Sequence, residues 1–381
     1  MKFLAGERIL WDGAMLEGHA LLFDDRVLAC LPEDRTDGIE AERVEAGGRY
    51  VLPGFVNVHV HGAMGYDAMD ATDEALDALS LAMAKEGVTA FLPTSVTAPM
   101  GEIDAAVRAV RRGMGRTLPG AAILGMHLEG PWIDEAMRGA HPAAFIGRSP
   151  DVPWVAERAD VLRIVTFSPT LDPQHSFTRS LRGLGIVPSL GHTTADFDLA
   201  LSAVRAGARS ITHLFNAQRG LHHRRPGMVG AAAVSDAMCE FIADGRHVVP
   251  ELFEPVCRLI GTDRLILITD SMRAAGLPDG DYRFAGGVVM VRDGLPVNGD
   301  GTIAGSVLTM NRALKNFHQA TRRPLSELSA TVSRNPARLL GLTRKGELAA
   351  GMDADIVCLD DDFNVRATFV EGRQVFGAFG A

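Results

Sequence analysis

Lysine is nearly missing from this 381-residue sequence: among 38 basic residues only Lys2, Lys85, Lys315 and Lys345 are lysines. None falls between Lys85 and Lys315, which denies the middle of the chain any lysine-derived metal ligand. Cysteine is sparse too. Cys30, Cys239, Cys257 and Cys358 lie far apart and form no CxxC pair, which argues against a disulfide framework or a thiolate zinc site and fits reduced thiols in a cytosol. No apolar run approaches membrane-spanning length. The opening MKFLAGERILWDG is interrupted by Glu7, Arg8 and Asp12, which excludes a signal peptide. A formal charge of -9 argues against a nucleic-acid or polyanion partner. These absences leave a soluble, cytoplasmic protein acting on a small molecule.

What is present has a regular plan. Residues 1–50 hold short strands at 7–11, 18–23, 26–30 and 43–45, separated by turn residues. The same texture returns at 355–359, 365–370 and 374–376, so a small β-sandwich built from both termini is expected. Between them, apolar strands at 55–61, 89–94, 123–127, 163–167, 186–190, 210–214, 240–243 and 265–269 alternate with amphipathic stretches such as 72–86, 103–113, 196–206 and 250–260. Eight such repeats predict an α/β chain with a (β/α)8 TIM-like barrel. An open doubly wound sheet is the competitor, but no GxGxxG follows the first strand. The expected division is 1–50 and 345–381 for the β-sandwich and 51–344 for the barrel.

Chemistry in a barrel gathers at the C-terminal ends of the strands. Here those ends carry His59 and His61, Glu129, His192, His213, Asp244 and Asp270. Histidines two apart on a strand leave on the same face, so one cation can take a nitrogen from each. A histidine pair alone is weak evidence; its recurrence with imidazoles and carboxylates at matching ends of other strands predicts a catalytic metal site. Neutral imidazole with carboxylate suits zinc, iron(II) or a similar divalent ion. Many two-metal barrel hydrolases bridge their ions with a carboxylated lysine on the fourth strand. With no lysine available, Glu129 is the natural replacement.

The ordered segments PGFVNVHVHG (53–62), HLEGPWIDEAMRGAHP (127–142), LGHTTA (190–195), THLFNA (212–217), IADGRHV (242–248), TDSMRAAG (269–276), GTIAGSVLTM (301–310) and NPARLLGL (335–342) resemble the N-acetylglucosamine-6-phosphate deacetylases of the amidohydrolase superfamily over essentially the whole chain. The resemblance implies that Glu129, His192 and His213 hold the principal metal. It implies Asp270 as general base and acid, and His141 as a group near the acetyl carbonyl. For the sugar phosphate it implies Arg224, His247 and the backbone around Asn216 and Ala217. It also implies a homodimer, with some phosphate contacts crossing the interface.

Three departures stand out. Some members lack histidine at the first-strand pair and use one metal, whereas His59 and His61 are both kept here, so one or two ions are expected. The phosphate loop reads Arg224-Arg225-Pro226-Gly227 where the family commonly has Arg-Glu-Pro-Gly. The fourth strand ends in Ser168-Pro169-Thr170 where a Pro-Glu pair is usual. The expected reaction is hydrolysis of the acetamide of N-acetylglucosamine-6-phosphate. The galacto epimer and another N-acyl substrate, as in a D-aminoacylase, are the alternatives, and a non-catalytic binding protein on the same fold is a remote one.

Overall fold

A computed structural model describes residues 1–36, 38–44 and 47–377; Glu45, read above as a strand end, lies outside them. Apolar runs such as Leu162–Phe167 and Leu265–Ile268 are buried, as strands covered on both faces require. They assemble into two parallel sheets. One contains Phe55–Val60, Val88–Pro93 and Ala122–Ile123. The other runs Met126–Glu129, Leu162–Phe167, Val187–Leu190, Ser210–Ile211, Met238–Ile242 and Leu265–Ile268. Thr94 pairs in parallel with His127 between the two sheets, and the Asp270 N–H donates to the His59 carbonyl at 3.0 Å.

The helices bury one stripe against this sheet. Thr72 accepts the Ala75 N–H and starts Asp73–Lys85, which buries Leu76, Leu79 and Met83 on one face. The ring of Phe241 meets Phe253 and Phe317 of two helices at 5.2 and 5.6 Å.

One expected strand is split. Residues 123–127 read as a single run, yet Ala122–Ile123 pairs with Val88–Pro93 while Met126–Glu129 pairs with Leu162–Phe167. The break falls at Gly125, where φ is +147° and an added Cβ would lie 2.5 Å from the Val161 carbonyl oxygen. The strand at 210–214 is likewise short, ending at Ile211, because His213 takes a left-handed φ of 30°.

Both termini enter one eight-stranded sheet, continuous in hydrogen bonding where a sandwich of two sheets was expected. Tyr50–Pro53 is the reason: it pairs in parallel with Lys2–Trp11 and antiparallel with Ile356–Leu359, stitching the two ends together. Leu4, Ile9, Leu21, Phe23, Ile356 and Phe369 form its separate apolar core. An unanticipated antiparallel insertion, Gly280–Phe284, Gly287–Arg292 and Leu295–Val297, follows the last parallel strand. Among the described residues no helix is long and apolar enough to cross a membrane.

Candidate active site

Glu129 closes its strand, whereas His192, His213 and Asp270 each sit two residues beyond theirs. With His59 and His61 they are buried together. Glu129 is the hub. Its Oε1 lies 3.1 Å from His213 Nε2 and 3.2 Å from His192 Nε2; its Oε2 lies 3.2 Å from His141 Nε2 and 3.4 Å from His61 Nε2. Asp270 Oδ1 is 3.1 Å from His61 Nε2 and 3.4 Å from His59 Nε2.

The outer nitrogens fix the tautomers. His192 Nδ1 lies 2.8 Å from the Met137 carbonyl, His61 Nδ1 3.2 Å from the Thr94 carbonyl, and His59 Nδ1 2.9 Å from Glu240 Oε2. Each acceptor takes an N–H, so a neutral ring turns an Nε2 lone pair inward. His213 Nδ1 is buried without a hydrogen-bond partner among the described residues. Lone pairs and carboxylate oxygens therefore face one another, with His192 Nε2 and His213 Nε2 only 3.0 Å apart. Such a set repels unless a cation or shared protons lie between, so these residues fit a divalent metal ion. With no cation, burial opposes charge on the rings, but Glu129 and Asp270 outweigh it: His59 stands well above its ordinary pKa and His61 is raised to about 9. Burial likewise opposes charge on Asp270, and the His59 and His61 imidazoles overcome it and lower its pKa.

His141 is set the other way round. Its Nδ1 accepts the Thr97 N–H at 3.0 Å and the Thr97 hydroxyl at 2.8 Å. The proton of the neutral ring is thus on Nε2, facing the pocket, and burial pushes the pKa down to about 4. His127 is saturated instead, by the Val58 carbonyl at 2.9 Å and the Thr166 hydroxyl at 2.7 Å.

Backbone strain concentrates at the same place. His192, His213 and Asp270 have φ of 47°, 30° and 48°, conformations that cost roughly 1–3 kcal/mol each for a non-glycine residue. Bridging hydrogen bonds hold them: Thr193 N–H to the Ala217 carbonyl at 2.9 Å and Ser306 N–H to the Asp270 carbonyl at 2.8 Å.

These groups floor a cavity of about 500 Å³. Asn216, Ala217 and His247 line it, as do the apolar Phe284, Ala285 and Ile303. Asp244 Oδ2 lies 2.7 Å from His247 Nδ1; burial opposes a charge on that ring, but Asp244 outweighs it and raises its pKa. Arg224 stands apart, exposed in the loop before Gly227 and off the cavity wall. Sequence reasoning had passed over Thr97, Arg138 on the wall, Phe284 at the tip of the inserted hairpin, and Glu240. Only Glu240 carries a sequence signal, a lone carboxylate inside the apolar strand MCEFI.

A model of the amidohydrolase family matches residues 50–375. N-acetylglucosamine-6-phosphate deacetylase of Bacillus subtilis (strain 168) is 39% identical over 368 residues, covering 94% of this chain and 93% of that protein. This chain belongs to the N-acetylglucosamine-6-phosphate deacetylase family of amidohydrolases. N-acetylgalactosamine-6-phosphate deacetylase of Escherichia coli O157:H7 is also similar, 35% identical and covering 97% of this chain and 98% of that protein. A variant of the Mycobacterium smegmatis N-acetyl-D-glucosamine-6-phosphate deacetylase, solved in complex with N-acetyl-D-glucosamine-6-phosphate, superposes with a TM-score of 0.90 at 32% identity, covering 98% of this chain and 99% of that one. Family and geometry agree that the protein is an enzyme with a metal-competent His/Glu centre.

Proposed function

We propose that this enzyme hydrolyses the acetamide of N-acetylglucosamine-6-phosphate to glucosamine-6-phosphate and acetate. The observation that carries the reading is the convergence of inward-facing imidazole nitrogens on Glu129, with Asp270 beside them and the Nε2–H of His141 opposite, in a cavity sized for a sugar phosphate.

Glu129, His192 and His213 would hold the principal ion, and His59 and His61 with Glu129 a second; zinc suits the donors best. Such an ion, when bound, acidifies water and polarises a carbonyl. The chain's own residues do the rest. Asp270 takes a proton from the attacking water and returns it to the departing amine. His141, neutral and pinned by Thr97, donates its Nε2–H to the carbonyl oxygen as negative charge develops there. His247, Arg224 and the backbone at Asn216 and Ala217 hold the phosphate, guanidinium matching phosphate oxygens in two-pronged geometry. Arg224 is off this chain's cavity wall; its contact would come across a homodimer interface.

We read the two parallel sheets as arcs of one (β/α)8 barrel spanning 51–344, with 1–50 and 345–381 as the β domain; the Thr94–His127 pairing and the Asp270-to-His59 hydrogen bond support this. The cytoplasm is where such a substrate would be met. Proton NMR of the purified, zinc-loaded enzyme with N-acetylglucosamine-6-phosphate tests the reaction: the acetamide methyl signal should be replaced by that of free acetate. An unchanged acetamide signal would reject it. The similarity to the Escherichia coli enzyme favours the galacto epimer as a second reading.

A further inference from the structure

Glu240 lies in the middle of Met238–Ile242, a strand buried along its whole length. Phe241 faces the helices, where it meets Phe253 and Phe317, so alternation turns Glu240 to the opposite face. There its Oε2 is 2.9 Å from His59 Nδ1, while Oε1 has no hydrogen-bond partner among the described residues. Within those residues His59 is also its sole ion-pair partner. The nearby His127 offers nothing, its two nitrogens being taken by Val58 and Thr166. A carboxylate at 0% exposure with one oxygen unpaired is disfavoured for packing alone.

The outer nitrogens of His61 and His192 rest on neutral carbonyls, those of Thr94 and Met137. His59 rests on a full carboxylate instead, which makes its inner nitrogen the more basic one.

We propose that Glu240 is a positioning residue: it holds the His59 ring with Nε2 turned toward the second of the two ions assigned above. This rests on the reading that the pocket holds divalent ions.

The test is zinc titration of metal-stripped protein, followed by calorimetry and elemental analysis, for wild type, Glu240→Gln and Glu240→Leu. Wild type should take up two ions per chain. Glu240→Leu should weaken one of them by about 10–100-fold, the usual effect of losing a partner behind a metal-bound histidine, and leave the other unchanged. Glu240→Gln, which keeps an acceptor for the His59 N–H without the charge and alters the volume least, should retain part of the lost affinity. That split between two sites is not what general loosening of the fold produces. Two ions bound with wild-type affinity in Glu240→Leu, equal weakening of both, or saturation of wild type at one ion would each overturn the assignment. Uptake of no ion by wild type would overturn the metal reading with it.

Discussion

Asp270 can lose its charge without losing its frame. Its N–H donates to the His59 carbonyl at 3.0 Å and its carbonyl accepts the Ser306 N–H at 2.8 Å, and neither contact involves the carboxylate. Asn has nearly the same shape and keeps an oxygen where Oδ1 now lies 3.1 Å from His61 Nε2. What Asp270→Asn removes is the capacity to take a proton and give it back. General acid–base catalysis contributes about 10²–10⁴-fold, so kcat should fall by that factor, about 2.7–5.4 kcal/mol of barrier at ~1.36 kcal/mol per tenfold. KM should move by less than about threefold, because substrate contacts lie elsewhere on the wall. Steady-state acetate release, with the metal content of both proteins measured alongside, decides the matter. A variant with kcat within tenfold of wild type, or one that has lost its metal, would refute this account of Asp270.

Arg224→Ala should raise KM for the phosphorylated sugar by roughly ten- to a hundredfold, about 1.4–2.7 kcal/mol for a charge-assisted phosphate contact, and leave the unphosphorylated analogue unaffected; equal effects on both would remove Arg224 from the phosphate site. Phe241→Ala, which empties the contact among three rings at 5.2–5.6 Å, should cost about 3–5 kcal/mol in denaturant unfolding, and a loss below about 1 kcal/mol would mean that those helices do not pack as described. Burial raises Glu86 to about 8 from 4.5, against the opposing hydrogen bond from the Met310 N–H. Because the folded value is the higher, the stability this group contributes is complete below about pH 4.5 and declines until about pH 8, by up to ~1.4 kcal/mol per unit. Unfolding of Glu86→Gln across that window should lack this slope, and parallel profiles for the two proteins would contradict it.

The strand ends were readable because parallel strands leave long apolar runs, and a histidine or carboxylate closing such a run is conspicuous. His59, His61, Glu129, His192, His213 and Asp270 were found in that way, and the structure brings all six together. What sequence could not supply was the direction of each ring. The opposite tautomers of His141 and His192 depend on a backbone N–H from Thr97 and a carbonyl from Met137, groups every residue carries. The split at Gly125 was hidden because the two short strands join into one apolar run. The inserted hairpin at 280–297 was missed since its alternation is that of any exposed ribbon, and its tip, Phe284 and Ala285, reaches the cavity, with the Phe284 ring 5.3 Å from that of His61. Arg224, named from resemblance, is exposed in this chain and off the cavity wall.

The most direct measurement is kcat/KM of the zinc-loaded enzyme on N-acetylglucosamine-6-phosphate, its galacto epimer and unphosphorylated N-acetylglucosamine, compared by acetate release. The gluco phosphate should be turned over fastest, with the unphosphorylated sugar at least a hundredfold slower, the equivalent of about 2.7 kcal/mol of phosphate binding. Faster turnover of the galacto epimer would reassign the substrate. No acetate from any of the three, with metal bound, would contradict the proposed function.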